Sequence, residues 1–193
     1  MSEENVGVMG GMRTPMTVPS ESRRRTLDER IFVRFPTLRR SLASFWSRLP
    51  PRSRLRRAIT SRFVRRAAAA ANRRDFELFL LNFEPEFEMS FDESAVGGFV
   101  PPDLVGVHRG REAFLRVWEA GIEAIDLKVD YDEVIDFGDR VVLCGRLLGR
   151  GRASGIPVDQ PLLQVFTLRR GLVIREQDFT DRDKALKAAG LSE

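Results

Sequence analysis

The sequence predicts an α+β fold, and the order of its predicted elements is the main reason. Helices come first, one strand and another helix follow, and four strands lie in a row between residues 126 and 180. Short Gly-containing connections join these four strands, as in an antiparallel meander. This order differs from the regular strand–helix alternation of a parallel sheet. The 193 residues, 42% of them apolar, suffice for one substantial core plus an appendage.

The N-terminal third divides into a tail and a helical extension. Residues 1–22 are rich in Met, Gly, Pro, Ser and Glu without periodicity, so we predict a mobile, disordered tail. Residues 23–59 form a predicted basic helical extension. Its first helix starts near Thr37, ends before Pro50 and carries one apolar stripe, Leu38, Leu42, Phe45, Trp46 and Leu49. A second helix runs from about Ser53 to about Asn72.

A strand and a third helix follow. The segment "FELFLLNFEPEFEMSF" predicts a short helical turn and then a strand in which Phe87, Met89 and Phe91 share one face. The next stretch, residues 92–110, predicts a long loop of the kind that often acts as a lid. The third helix is "REAFLRVWEAGIEAI".

The remaining chain predicts the meander and a final helix. The strands are "DLKVDYDEVIDF", "DRVVLCGRLLGRG", "IPVDQPLLQVFTLR" and "GLVIREQDFT". A closing helix, "DRDKALKAAGL", has Asp181 as its predicted N-cap and Gly190 as its stop.

Charge is distributed unevenly between the two parts of the chain. Residues 1–74 hold 18 Lys and Arg against 5 Asp and Glu, whereas residues 75–193 hold 14 against 23. A basic amphipathic arm could lie on an anionic membrane or along nucleic acid. We consider nucleic acid unfavoured, because interleaved aromatic residues and known binding motifs are missing. We favour packing of the arm on the acidic body or on a partner subunit, with Trp46 and Phe45 as anchors.

Several classes of protein are disfavoured. The longest apolar runs fall short of the roughly 20 residues that cross a bilayer, and the N-terminus lacks a secretory pattern, so we expect a cytoplasmic protein. Cys144 is the only cysteine and lies in an apolar strand, where we expect a small buried hydrophobe. One His and one Cys cannot make a His/Cys zinc site. We expect no metal and no cofactor.

The set "VHRGREAFLRVWEA", "VIDFGDRVVLCGRLLGRGRASGIPVD", "QVFTLRRGLVIREQDFTDR" and "KALKAAGLSE" resembles the SnoaL-like branch of the nuclear transport factor 2-like (NTF2-like) superfamily. The resemblance covers about residues 60–193 and implies a cone, in which a curved, mainly antiparallel sheet wraps around helices and the mouth is a ligand pocket. It also implies a homodimer formed through the sheet. The first two helices look like an extension beyond the common core.

The resemblance implies candidate chemistry as well. The superfamily contains polyketide cyclases, ketosteroid isomerases, dehydratases and epoxide hydrolases, so fold alone does not define activity. Cyclases of this branch carry an acid/base Asp on the last strand and a His fourteen residues earlier. Here Asp178 matches the Asp, and Gln164 stands where the His would be. An amide cannot transfer a proton near neutral pH, but it can orient a substrate or donate to an oxyanion.

The hairpin around "RRG" decides which side chains face the pocket. A two-residue turn places Val165 opposite Glu176, whereas a three-residue loop ending in a left-handed Gly171 places Gln164 there. The resemblance favours the longer loop, which puts Gln164, Phe166, Glu176 and Asp178 on one wall. Two inward carboxyls would raise each other's pKa. In the alternative, they lie outside and pair with Arg146, Arg150 or Arg175.

Other candidates surround this wall. His108, the only histidine, precedes the third helix and is either a general base or oxyanion partner at the mouth, or a loop residue satisfied by backbone. Apolar residues that line the interior are predicted to contact substrate or to be core: Phe83, Phe87, Met89, Phe114, Trp118 and Phe166.

Two functions therefore remain open. In the first, the protein is a cofactor-free isomerase, cyclase or dehydratase that acts on a hydrophobic carbonyl compound, with Asp178 as acid/base and Gln164, His108 and Glu176 in support. In the second, it is a non-catalytic ligand-binding or dimerisation module whose basic arm contacts a partner or a membrane surface. A ligand-sized cavity into which Asp178 points, with a raised pKa, favours the first, and a cavity filled by Phe and Trp side chains favours the second.

Overall fold

The computed structural model describes residues 12–15, 24–92 and 106–190. The strands are β1 (Met12–Pro15), β2 (Phe83–Phe91), β3 (Val107–Arg109), β4 (Lys128–Asp136), β5 (Arg140–Arg150), β6 (Pro157–Arg169) and β7 (Leu172–Phe179). The helices are α1 (Leu27–Arg34), α2 (Pro36–Ser47), α3 (Arg54–Asn72), α4 (Phe76–Phe79, continued by a 3₁₀ turn, Leu80–Asn82), α5 (Gly110–Ala124) and α6 (Arg182–Ala188). The predicted α+β class is confirmed.

One curved, mixed sheet contains all seven described strands, in the order β1-β4-β5-β6-β7-β2-β3. Strands β4 to β7 form the predicted antiparallel meander. Strand β2 pairs in parallel with β7 and in antiparallel with β3, so β7 is a central strand rather than a rim strand. The two ends of the strand order do not pair, and the sheet does not close into a barrel.

Irregularities in the meander bend the sheet. The β4–β5 pairing shifts by one residue between Tyr131 and Glu133, which is the signature of a bulge. Gly145 lies opposite Tyr131, and a Cβ there would come within 2.1 Å of the Asp130 carbonyl oxygen. The close approach of the two backbones therefore requires glycine.

The two faces of the sheet carry separate apolar cores. The concave face packs on α3, α4 and α5 through a large cluster rich in phenylalanine, including Phe79, Phe83 and Phe114. The convex face packs on α6 through a smaller cluster that contains Val165 and Cys144, which is buried as predicted. Helix α6 begins at its predicted N-cap, where the Asp181 carboxylate accepts hydrogen bonds from the next turn.

The N-terminal predictions need two corrections. Residues 12–15, placed in the mobile tail, form strand β1 and pair with β4. A four-residue edge strand is held by backbone hydrogen bonds and leaves too short a pattern to detect in a sequence. The rest of that tail, and residues 93–105 of the predicted lid loop, lie outside the described residues. Helix α1 was not predicted, although Thr26 and Glu29 form a capping box at its start.

Helix α2 faces the body with a different side from the one predicted. Its buried residues are Arg39, Ala43 and Trp46. Leu38, Leu42 and Phe45 are instead 44%, 38% and 53% exposed. Trp46 is an anchor as expected, but Phe45 is not. Periodicity identifies an apolar stripe without identifying the surface that it meets, and here the long Arg39 side chain occupies the inward face.

A buried ion pair joins the extension to the sheet. The Arg56 guanidinium on α3 donates to both carboxylate oxygens of Asp136 on β4, at 2.8 and 2.9 Å, and lies over the Trp46 ring. Thr60 accepts a hydrogen bond from Trp46 and donates toward the same carboxylate. The basic extension therefore packs on the body. Helix α3 is continuous across residue 60, the predicted start of the SnoaL-like domain.

No helix in the described ranges has both the length and the apolar character needed to span a bilayer.

Candidate functional site

The β6–β7 hairpin determines which side chains enter the concave face. Its turn contains two residues, Arg170 and Gly171, with φ of 52° and 77°. The predicted three-residue loop is therefore wrong, although Gly171 is left-handed as expected. A bulge at Ile174 then shifts the pairing by one residue, because Leu168 pairs with Val173 and Thr167 with Arg175. The bulge restores the face that the longer loop would have produced.

This register brings Gln164, Phe166, Glu176 and Asp178 onto one concave wall. Gln164 lies opposite Asp178, and Phe166 lies opposite Glu176. The Gln164 amide nitrogen donates to Glu176 Oε1 at 2.7 Å and to Asp178 Oδ1 at 2.9 Å. The Gln164 amide oxygen accepts a hydrogen bond from the Tyr131 hydroxyl. Four polar side chains thus form one connected group, hereafter the carboxyl cluster: Tyr131, Gln164, Glu176 and Asp178.

Burial controls the protonation of the carboxyl cluster. Glu176 is 3% exposed and Asp178 is 5% exposed. Desolvation raises the pKa of Asp178 to about 7, although the Gln164 hydrogen bond opposes the rise. Desolvation, aided by the Asp178 charge, raises the pKa of Glu176 well above its usual range. Burial therefore favours the protonated form of Glu176, next to an Asp178 whose pKa of about 7 suits proton exchange near neutral pH.

Gln164 positions the carboxyls rather than an oxyanion. Both hydrogens of its amide are used by Glu176 and Asp178, so neither remains for a substrate oxygen. The sequence argument that it could donate to an oxyanion does not fit this geometry. In contrast, Glu176 Oε2 is buried and has no hydrogen-bond partner among the described residues. Within the carboxyl cluster, that oxygen is therefore the atom available for a further hydrogen bond.

The solvent-facing alternative for the two carboxyls is wrong. Arg175 pairs with Glu88, and Arg146 pairs with Asp159, both on the exposed surface. Arg150 donates to the Gly155 carbonyl oxygen. Because strand neighbours alternate in direction, Arg175 points outward while Glu176 points into the concave face.

Tyr131 is a member of the cluster that sequence reasoning missed. It is the only tyrosine of the chain and is buried on the concave face of β4. Its alternation with Val129 could have indicated an inward position, but the bulge after Tyr131 hides the pattern further along the strand. Desolvation and the two nearby carboxyls raise its pKa, so the hydroxyl remains a donor.

His108 lies on β3, at some distance from the carboxyl cluster. It pairs with Met89, which in turn pairs with Glu176, so the three residues form one row across three strands. Two strand spacings separate the backbones of His108 and Glu176 by about 10 Å. The His108 ring lies 6.2 Å from that of Phe91. The structure places His108 near the edge of the site and not within the cluster.

Most of the predicted apolar contacts fill the interior. Rings of the concave core pack directly on one another, among them Phe83, Phe87, Phe114 and Trp118. Met89 is 2% exposed. A cavity of about 90 Å³ remains beside them, between the extension and the sheet. Phe83, Phe166 and Tyr131 line this cavity, whereas Phe87, Met89, Phe114, Trp118 and Asp178 do not. The cavity therefore lacks the Asp178 wall that was expected for an enzyme, and the raised pKa of Asp178 is the part of that expectation that is met.

In the described part of the chain, no group of three or more His, Cys, Asp or Glu side chains is arranged to hold a metal ion.

The raised carboxyl pKa values predict an unusual dependence of stability on pH. A carboxyl whose pKa is higher in the folded state than in the unfolded state stabilises the fold fully below about pH 4. That stabilisation is lost as the pH rises, up to about pH 7 for Asp178. The expected slope is about 1.4 kcal/mol per pH unit for one carboxyl. Urea unfolding at several pH values between 5 and 7 should show this fall in the free energy of unfolding.

In the variant Asp178→Asn, the fall of the unfolding free energy with pH should be shallower by about 1.4 kcal/mol per pH unit, which is the contribution of one carboxyl. Asp159→Asn is the matched control, because Asp159 is an exposed partner of Arg146 and should leave the slope unchanged. An Asp178→Asn protein whose unfolding free energy falls as steeply as that of the wild type would contradict the assignment.

Comparison with solved structures places this architecture among NTF2-like proteins. One is an NTF2-like protein of unknown function from Burkholderia pseudomallei (19% identity, TM-score 0.55, 67% of this chain and 94% of that chain). Another is from Burkholderia thailandensis (25% identity, TM-score 0.53, 68% and 95%). A third is TerC, co-crystallised with polyporic acid (20% identity, TM-score 0.52, 81% and 97%). Among curated proteins, none matches the chain.

The family model described as the SnoaL-like domain matches residues 64–176. That range includes helix α5, the whole meander as far as Glu176 and three members of the carboxyl cluster. The chain belongs to the SnoaL-like domain family.

Proposed function

We propose that this protein is a cofactor-free acid–base catalyst that acts on a small hydrophobic carbonyl compound, as an isomerase, cyclase or dehydratase. One observation carries the proposal: two buried carboxyls, bridged by the Gln164 amide, point into the concave face of the sheet. A structural ion pair would bring a cation to such carboxyls. Here the bridge is a neutral amide, and the carboxyls keep their capacity to exchange protons.

The two carboxyls suit complementary roles. Asp178, with its pKa raised to about 7, takes a proton from the carbon next to the substrate carbonyl. The electron pair of that C–H bond moves onto the carbonyl oxygen and forms an enolate. Protonated Glu176, through its unpartnered Oε2, donates a hydrogen bond to that oxygen. Return of the proton from Asp178 to a different carbon completes an isomerisation. Alternatively, the enolate re-forms the carbonyl, the β-hydroxyl takes that proton from Asp178 and leaves as water, and a carbon–carbon double bond completes a dehydration.

The surroundings support a small-molecule substrate. Aromatic rings make up much of the concave face, and an apolar substrate near the carboxyls would contact them. TerC, which shares the fold, was co-crystallised with polyporic acid. His108 stays a candidate second base at the edge of the site. Dimerisation through the sheet and a cytoplasmic location, both expected from the sequence, also stay predictions.

Deuterium exchange into model ketones tests this proposal. The protein is incubated in D₂O with a panel of cyclic and aromatic ketones that carry α-protons, and exchange is followed by NMR. We expect protein-dependent exchange with at least one ketone, with a rate that rises as Asp178 ionises through about pH 7. Asp178→Asn should slow the exchange by about 10²–10⁴-fold, while Asp159→Asn should not change it. Exchange that survives Asp178→Asn, or no exchange across the panel, would contradict the proposal.

A second function, attachment to an anionic membrane surface, is favoured by the exposed face of the extension. The face contains Leu38, Leu42 and Phe45 at helical spacing on α2, together with Ile31 on α1 and Phe35 between the two helices. All five are more than a third exposed. We call this set the apolar stripe. Large apolar residues in a row on a surface indicate an interaction site rather than the scattered exposure of ordinary surfaces.

Charge decides between a lipid surface and a second copy of the chain. Arg34, Arg40 and Arg48 flank the apolar stripe and are exposed, and the Arg34 guanidinium lies over the Phe35 ring. A symmetric dimer through this stripe would bring arginines against arginines. An interfacial helix with arginines beside phenylalanine and leucine suits anionic lipid headgroups and the acyl boundary below them. We therefore assign the stripe to an anionic membrane.

Vesicle sedimentation tests the attachment. Wild-type protein should bind vesicles of equal parts phosphatidylglycerol and phosphatidylcholine, and should not bind pure phosphatidylcholine. Because each buried Leu or Phe contributes about 1.5–3 kcal/mol, Leu42→Ser with Phe45→Ser should weaken binding by about a hundredfold. Leu55→Ser is the matched control, an exposed leucine of α3 outside the stripe. Unchanged binding in the double variant, or a dimer in sedimentation equilibrium that the double variant abolishes, would overturn the assignment.

A further inference from the structure

The buried Arg39 side chain has no anionic partner in the described part of the chain. It is 5% exposed, and its Nη2 donates to the amide oxygen of Asn82. The guanidinium carbon lies 4.1 Å from the centre of the Phe63 ring. Its Nη1 is buried and has no hydrogen-bond partner. A neutral amide and an aromatic face do not neutralise a full positive charge.

Arg56, the other deeply buried arginine of the extension, shows how a buried guanidinium is usually neutralised. Arg56 is 1% exposed, and its guanidinium is matched by the Asp136 carboxylate and by backbone carbonyl oxygens. An uncompensated buried charge destabilises a fold by several kcal/mol. Burial also lowers the pKa of Arg39 to about 10, which still leaves it charged at neutral pH. No carboxylate among the described residues matches this positive charge, and a bound anion would do so.

Arg39 is part of the wall of the 90 Å³ cavity. Apart from Arg39, this wall is mostly aromatic and aliphatic, with Trp46, Phe63 and Phe79 beneath the extension and Phe83 and Phe166 on the body. One cation in an apolar chamber selects a ligand with one anionic group and an apolar remainder. A planar carboxylate matches the fork of hydrogen-bond donors on a guanidinium.

The volume of the cavity limits the number of atoms in a ligand that it can hold. An apolar cavity of about 150 Å³ accommodates benzene, with its six heavy atoms. By that scale, 90 Å³ holds a molecule of about four heavy atoms, the number in acetate. We infer that the cavity under the extension binds a short-chain aliphatic monocarboxylate, with its carboxylate on Arg39 and its alkyl group against the aromatic wall.

This inference is separate from the proposed reaction. The cavity reaches Tyr131 and Phe166, but the two carboxyls of the cluster do not line it. Binding at Arg39 can therefore be measured whether or not Asp178 catalyses proton transfer. The variant Asp178→Asn should retain carboxylate binding, which keeps the failure of one proposal distinguishable from the failure of the other.

Titration with acetate, which has four heavy atoms, tests the site. Amide NMR spectra of the full chain are recorded with increasing sodium acetate, at constant ionic strength kept by sodium chloride. We expect saturable shifts, and at least about tenfold weaker binding of acetamide, which has the same shape without the charge. Arg39→Met should abolish the saturable shifts. Arg40→Met, a change in the neighbouring exposed arginine, should leave them intact.

Thermal unfolding separates a ligand site from a structural arginine. Because Arg39→Met removes an unpaired buried charge, the variant should unfold at a higher temperature than the unliganded wild type. Acetate should then raise the unfolding temperature of the wild type and of Arg40→Met, but not that of Arg39→Met. Equal binding of acetate and acetamide, the same shifts in Arg39→Met, or no saturable binding would each overturn the inference.

Discussion

The extra residue at Ile174 in strand β7 determines which face of the sheet carries Glu176 and Asp178. A two-residue turn at Arg170 and Gly171, continued without a bulge, would direct both carboxyls to the convex side. The turn itself is constrained by the extension, because a Cβ on Gly171 would come within 2.2 Å of the Ala43 carbonyl oxygen on α2. Backbone packing outside the site therefore helps to fix its chemistry, and the pKa of each carboxyl follows from the burial that the register imposes.

The extension has two faces with different physical roles. Its inward face contributes the buried side chains of Arg39, Trp46 and Arg56, and Arg39 and Trp46 also line the cavity. Its outward face presents the apolar stripe and the exposed arginines. The extension thus packs on the body with one face and leaves an apolar, basic face exposed. Packing on the body and contact with a membrane, the two alternatives that the charge distribution raised, are therefore compatible. The buried pair between Arg56 and Asp136 keeps the two faces in a defined orientation on the sheet.

Sequence patterns predicted the fold well because they depend on local rules. Alternation and turn residues identified the four strands of the meander, and Asp181 identified the start of α6. The positions of the site residues depend on strand register and bulges, which local sequence rules do not predict. Gln164 and Asp178 were placed on one wall by family resemblance, but the wall forms through a bulge that no residue type signals. Tyr131 was missed because a second bulge interrupts the alternation of strand β4. The inward position of Arg39 was missed because hydrophobic periodicity predicts that arginine faces solvent.

Acid–base function in this protein depends on one claim, that the Asp178 carboxyl lies in a desolvated environment and shares the Gln164 amide with Glu176. Carbon-13 NMR of protein labelled at the aspartate side-chain carboxyl measures this directly, with the Asp178 signal assigned by its loss in Asp178→Asn. The account predicts a titration midpoint near pH 7 for that carbon, well above the usual value of 3.8. A midpoint near 4, as in a solvated aspartate, would contradict it.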